Sequence, residues 1–204
     1  MSLLTLIQYY ILFQKTYVKL IIVSWLLQYI GYLPLAHIFE LCIEFAFIAL
    51  GIPIGYSSPY TLTDNSLKII KGEKGDISIL KPTIMIAVPI ILDRLYKGIR
   101  LNIKNKGEKF EKIFNTCVQY KRKWQIRGFD TPIMNKILFK KIRATLGGRV
   151  KAAFCGGAPV TADVQEYLRI CLCAKFIQGY GLTECCGGIT ASYGDDIRSI
   201  HFLC

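Results

Sequence analysis

The sequence predicts an α/β fold built of parallel β-sheet layers joined by crossover helices. Two observations carry that expectation. From about residue 26 onward, short apolar runs rich in β-formers alternate with longer stretches of helical periodicity, the pattern of parallel strands connected by helices. Pro34, Gly51, Pro89 and Gly147-Gly148 then punctuate the boundaries of those runs, as breakers do.

Taken in order, Trp25 to Leu33 reads as a buried strand ended by Pro34, and Leu35 to Leu50 as a helix closed by Gly51. Ile52 to Tyr56 is a second strand. After the loop Ser57-Ser58-Pro59, Thr63 or Asp64 is expected to cap a short helix ending near Gly72. Thr83 to Val88 is a third β-capable run, and Pro89 suits the first turn of the helix that follows, where its missing N–H costs nothing. Residues 90 to 104 and 107 to 123 form a helical hairpin, with Ile91, Leu95 and Ile99, then Phe110, Ile113, Phe114 and Val118, at helical spacing between lysines. Met134 to Leu146 reads as one more helix, stopped by the two glycines. Val150 to Cys155 and Ala174 to Ile177 are strands on either side of a helix over Thr161 to Leu172.

At 204 residues the chain is long enough to bury a full core. Its 52% hydrophobic and 20% charged content suits a packed domain and not a polytopic membrane protein. The net charge of +12 is lopsided: between Arg94 and Lys151 there are 17 Lys/Arg and three acids, a local +14, leaving the remainder near −2. Such a block suits an anionic lipid surface, a nucleic acid or a polyphosphate; it equally suits a solvated helical face. Nucleic acid is not an expected partner, since no reading motif accompanies the charge.

Eight cysteines, at 42, 117, 155, 171, 173, 185, 186 and 204, lack the paired spacing of a zinc site, and the only histidines are His37 and His201. Reduced thiols in an intracellular protein are expected. In the first thirty residues Gln8, Gln14, Lys15, Lys19 and Gln28 interrupt any clean apolar run, which disfavours a spanning helix. No basic residue precedes the first apolar stretch, which disfavours a cleaved signal peptide. A membrane-surface helix over residues 2 to 23 stays open.

Two glycine-containing turns carry the candidate chemistry, each after a strand, where open parallel sheets place their ligands. The first is Cys155-Gly156-Gly157-Ala158-Pro159. Its glycines let backbone approach a ligand closely, although a Gly-Gly pair after a strand is also an ordinary turn. The second, Gly179-Tyr180-Gly181-Leu182-Thr183-Glu184, joins an aromatic ring to a hydroxyl and a carboxylate. Tyr180 could stack on a flat base, Thr183 donate to a phosphate oxygen, and Glu184 hold Mg2+. The alternative is a hairpin turn bearing a surface acid.

Val150-x4-Gly-Gly-Ala-Pro and Gln178-Gly-Tyr-Gly-Leu-Thr-Glu, about twenty residues apart, resemble two core motifs of the adenylate-forming (AMP-binding) enzymes. Tyr32-Leu-Pro-Leu-Ala-His37-x2-Glu40, Ile54-Gly-Tyr-Ser-Ser-Pro59, Lys74-Gly-Asp76, Leu80-Lys-Pro-Thr83 and Val88-Pro-x3-Asp93-Arg-x-Tyr96 resemble the long-chain acyl-CoA synthetases within that group. The resemblance runs from about Tyr29 to Ser192. It divides the chain into an unmatched apolar segment, 1–25, and a partial AMP-binding domain, 26–204.

The resemblance implies a fold, that of part of the large N-terminal domain of these enzymes, and a two-step ligase reaction. ATP and a long-chain fatty acid give an acyl-adenylate and pyrophosphate, and CoA then displaces AMP, with Mg2+ and fixed donors neutralising charge. Gly156, Gly157 and Ala158 would line the adenine and acyl-adenylate site. Gln178, Gly179, Tyr180, Gly181, Leu182 and Thr183 would complete the nucleotide site, with Tyr180 on the adenine and Thr183 at phosphate. Glu184 would hold Mg2+, and His37 would sit by the carboxylate end of the acyl chain. Cys155 and Cys185 depart mildly from the family's small hydroxyl residues, a thiol being a weaker donor.

No Ser/Thr/Gly-rich phosphate loop precedes Tyr32, and the family's later Thr-Gly-Asp motif and lysine-bearing domain would lie beyond Cys204. The isolated chain is therefore expected not to activate fatty acids, a point that fatty-acid-dependent pyrophosphate exchange would test. Association with an intracellular membrane, at the endoplasmic reticulum, mitochondrial outer membrane or peroxisome, is a further implication of the resemblance, with an anionic membrane surface as a candidate partner.

Overall fold

The computed structural model describes residues 27–64, 66–185, 187–192 and 202–203. The apolar segment 1–25, Cys186 and the Asp195-Asp196 pair lie outside the described residues. Seven strands form one sheet in the order β2-β1-β3-β4-β5-β6-β7, using β1 Tyr29–Gly31, β2 Ile54–Tyr56, β3 Ile84–Ala87, β4 Ala152–Cys155, β5 Lys175–Tyr180, β6 Thr190–Ser192 and β7 Phe202–Leu203. The first five pair in parallel, and β6 and β7 continue antiparallel from β5. The α/β expectation holds.

Helices cover both faces, and the strand period of two sends alternate residues to each. Ile84 and Ile86 of β3 pack with Tyr29, Phe47 and Ile52 on the side of α1, Ile38–Ala49. Met85 and Ala87 point the other way, into the larger core with Leu92 and Ile99 of α3, Pro89–Lys104, Phe114 and Val118 of α4, Glu108–Ile126, and Leu168 and Ile170 of α7, Ala162–Leu172. Here α2 denotes Asp76–Leu80, α5 Pro132–Ile137 and α6 Lys140–Ala144. Full burial of a ring such as Phe114, which is 1% exposed, contributes about 2 to 3 kcal/mol; Phe139 meets it edge-on at 5.6 Å.

Three sequence expectations are corrected. No helix runs from Thr63 or Asp64 to Gly72; the segment forms turns, and the short helix is α2. The side chains that suggested a cap are engaged elsewhere: Thr63 Oγ1 shares a hydrogen bond with Ser66 Oγ at 2.9 Å, and Asp64 Oδ1 accepts from Gly75 N. Side chain to backbone bonds of the latter kind compete with helix formation. The single helix over Met134 to Leu146 is two, α5 and α6, broken where Phe139 is fully buried and its N–H reaches back five residues to Met134 O. Strand β5 extends through Gln178, Gly179 and Tyr180, so the second turn begins later than the apolar run implied.

The motif residues around α2 are structural. Asp76 accepts hydrogen bonds from Ser57 Oγ at 2.7 Å and Thr61 Oγ1 at 2.5 Å. Gly55 lies against Leu80, where a Cβ would fall 2.5 Å from Cδ2. Thr83 Oγ1 accepts from Gln28 N at 2.7 Å, tying the start of β3 to β1.

Candidate functional site

The carboxyl ends of β4 and β5 lie side by side, because the two strands pair in register with Cys155 opposite Gln178. Gly156 follows Cys155 directly, and a Cβ there would lie 3.6 Å from Gly179 O and 3.3 Å from Phe39 Cε1. The first turn of α1 therefore packs on the Gly-Gly turn. Gly157 adopts φ +86, a conformation that favours glycine, and its missing side chain would meet nothing within 4 Å. That open cradle is what close backbone approach to a ligand requires.

The second turn is the hairpin between β5 and β6. Gly179 pairs with Ala191 and Tyr180 with Thr190; Gly187 N donates to Leu182 O and Ile189 N to Tyr180 O. Thr183–Cys185 forms one 3-10 turn within it. At Gly181 any Cβ would collide with the carbonyl of Gly187, so the hairpin closes only around a glycine. Gly187 in turn sits 3.6 Å from Ile38 O, measured from its would-be Cβ. The hairpin, the Gly-Gly turn and the amino end of α1 thus converge.

Among the expected nucleotide residues, Gly156, Gly157, Ala158, Gln178, Gly179, Tyr180, Gly181 and Leu182 all belong to this convergence. Tyr180 is 54% exposed and Leu182 46%, and Thr183 and Glu184 are also exposed. A ring, a hydroxyl and a carboxylate therefore face solvent on one short hairpin. Gln178 is buried; its N–H donates to Ser192 Oγ at 2.8 Å, whereas its Oε1 has no partner. A buried amide oxygen without a protein partner is unusual, since such groups are nearly always hydrogen-bonded. These groups fit a nucleotide with Mg2+: Glu184 offers the hard oxygen the ion prefers, and Gly156 and Gly157 leave backbone accessible. Cys155 is buried and its thiol is pushed up to about 12 by burial, so it stays protonated.

His37 is the amino-terminal cap of α1. It is exposed, and its Nδ1 accepts from Phe39 N at 3.2 Å. Capping occupies Nδ1 alone and leaves Nε2 available for a second partner. Sequence reasoning passed over Phe39 and Ser192, whose roles are purely spatial, and over the buried state of Glu40, which had entered only as the last letter of a motif. Glu40 accepts from Tyr29 OH at 2.7 Å and Tyr56 OH donates to Glu44 at 3.0 Å, both acids being buried on the α1 side of the sheet. The only sequence signal for this was the pairing of two acids, four apart, on an otherwise apolar helix.

The family model described as AMP-binding enzyme matches residues 7–201. Long chain acyl-CoA synthetase 8 of Arabidopsis thaliana is 46% identical over 176 residues, covering 82% of this chain and 24% of that protein. Long chain acyl-CoA synthetase 3 of the same plant is 39% identical over 176 residues, covering 84% and 25%. The chain thus spans about a quarter of the length of the relatives it matches. Among solved structures, the A domain of carboxylic acid reductase from Segniliparus rugosus, in complex with AMP and a co-purified carboxylic acid, superposes with a TM-score of 0.52 at 19% identity, covering 76% of this chain and 20% of that one. That likeness concerns the fold. With matching motifs, a matching sheet and a family match across nearly its whole length, the chain belongs to the AMP-binding enzyme family, and the relatives named here are long chain acyl-CoA synthetases.

Proposed function

We propose that these residues form the adenylate-binding part of an ATP-dependent long-chain fatty acid CoA ligase. The observation that carries the reading is the juxtaposition of the Gly156-Gly157 cradle with the Tyr180 to Glu184 hairpin at the carboxyl ends of two adjacent parallel strands. ATP held there with Mg2+ would supply the adenylyl group: the fatty acid carboxylate attacks the α-phosphorus, pyrophosphate leaves, and the thiol of CoA then displaces AMP from the acyl-adenylate. Tyr180 stacks on the adenine, Gly156, Gly157 and Ala158 offer backbone to it, and Gln178 Oε1 accepts a donor from the ligand. Thr183 donates to phosphate and Glu184 holds the metal. His37 faces the carboxylate end of the acyl chain.

Calorimetric titration of the purified chain with AMP tests this. Saturable binding is expected, weakened on the order of ten-fold by Tyr180→Ala through lost stacking and nearly unchanged by Tyr180→Phe. Absence of AMP binding, or equal affinity of the Ala variant, sinks the assignment.

A second, compatible reading is docking on an anionic membrane. Phe129, Ile133 and Ile137 are 59%, 73% and 75% exposed, and the exposed lysines 136, 140 and 141 lie among and beyond them. Apolar side chains flanked by cations suit an interface with anionic headgroups; the intracellular membranes named above are the proposed location. No helix of the described residues is long and apolar enough to cross a membrane. Co-sedimentation with phosphatidylserine-containing vesicles but not with phosphatidylcholine alone is expected, and binding indifferent to lipid charge would refute it.

A further inference from the structure

We propose that Cys173 and Lys121 form an oxidisable pair, in which peroxide converts the Cys173 thiol to a sulfenic acid that Lys121 captures as a covalent sulfur–nitrogen bond between α7 and α4. Lys121 is fully buried, which is rare for a lysine. Its Nζ donates to Asn135 Oδ1 at 2.6 Å, Ile170 O at 2.9 Å and Cys173 Sγ at 2.9 Å, and lies 4.6 Å over the Phe139 ring. The three N–H bonds of the ammonium are thus all committed, one of them to sulfur. Among the described residues no carboxylate pairs with it; Asp130 reaches the cluster only through Asn135 Nδ2, at 2.9 and 3.0 Å. A buried cation without a contacting anion is costly, and Cys173 is the contacting group whose chemistry can change.

Cys173 is also accessible. It caps the carboxyl end of α7 at φ +53, a left-handed backbone that side-chain-bearing residues seldom adopt, and it is half-buried, within reach of a small oxidant. Cys155 and Cys171 differ: they are buried, and burial pushes each thiol up to about 12, which keeps them protonated and inert.

The chemistry balances. Sulfur attacks hydrogen peroxide, the O–O bond breaks, and Cys173 becomes a sulfenic acid with release of one water; sulfur loses the two electrons that peroxide gains. Nζ then gives a proton to the sulfenic hydroxyl, its lone pair forms the N–S bond, the S–O bond breaks, a second water departs and one proton passes to solvent. Two equivalents of an added thiol reverse the step, returning Cys173 and Lys121 and forming one external disulfide. The link joins α4 to the turn that feeds β5, whose far end carries Tyr180.

The test is peroxide treatment of the purified chain, followed by intact mass and peptide mapping. The expected product is lighter by two hydrogens, yields a peptide joining Lys121 to Cys173, and is lost on dithiothreitol. Cys173→Gly, which suits the left-handed backbone and so spares the fold, should abolish that peptide. A disulfide is also lighter by two hydrogens, so the peptide map decides. A cysteine–cysteine link in its place, an oxygen adduct on Cys173 with Lys121 free, or an unmodified Cys173 overturns the proposal.

Discussion

The phenolic hydroxyl of Tyr29 donates to Oε1 of Glu40 at 2.7 Å, with both side chains fully buried on the α1 face of the sheet. Burial raises the Glu40 carboxyl from 4.5 to about 7; the Tyr29 bond lowers it, and neighbouring Glu44 raises it again. Tyr29 itself is pushed far up, by burial first and then by Glu40. Because the folded state holds the proton to higher pH than the unfolded one, the stability contributed by protonated Glu40 is complete below about pH 4.5 and is lost as pH rises through 7. Glu40→Gln keeps an acceptor for Tyr29 and removes the titration. Urea titrations from pH 4 to 8 should show the wild type losing on the order of 3 kcal/mol relative to the variant across that window. Parallel profiles would refute the assignment.

Gly181 closes the hairpin against the carbonyl of Gly187. Gly181→Ala forces the two segments apart, at a cost of about 1 to 3 kcal/mol, and displaces Tyr180 from its neighbours. AMP affinity should fall while the thermal unfolding midpoint drops by roughly 2 to 12 degrees. Gly188→Ala, where a Cβ meets nothing, is the control expected to leave both unchanged.

His37 separates a cap from a chemical group. Its Nδ1 accepts from Phe39 N, so His37→Ala should cost about 1 kcal/mol, the usual value of a lost helix cap, and His37→Asn should restore it. If His37 also faces the acyl carboxylate, the Asn variant will regain stability without regaining affinity for an acyl-adenylate analogue. Equal recovery of both would reduce it to a cap.

Asp76 gathers Ser57 and Thr61. Asp76→Ala strands two part-buried hydroxyls, and about 1 to 3 kcal/mol of destabilisation is expected in chemical denaturation. Combined with Ser57→Ala the losses should be less than additive, because the two changes delete one shared bond. Simple additivity would show that the contact contributes nothing.

The sequence by itself determined the α/β class, the family, the helices α3, α4 and α7, and the two glycine turns. Each is written in local signals: apolar periodicity, a proline at a first helical turn, glycines directly after a β-capable run. It misjudged the segment after Ser57 because Ser, Thr and Asp signal caps and turns alike, and only long-range partners decide which. It fused α5 with α6 because the break is made by Phe139 turning into a core formed by Phe114, distant in sequence.

Tertiary structure alone decided that the amino end of α1 meets both turns, through Phe39 at Gly156 and Ile38 at Gly187. It alone decided that Glu40 and Lys121 are buried without a contacting countercharge among the described residues. The physical reason is the same in both cases. Local preference depends on neighbours along the chain, whereas desolvation and close approach depend on which distant segments the parallel sheet brings together.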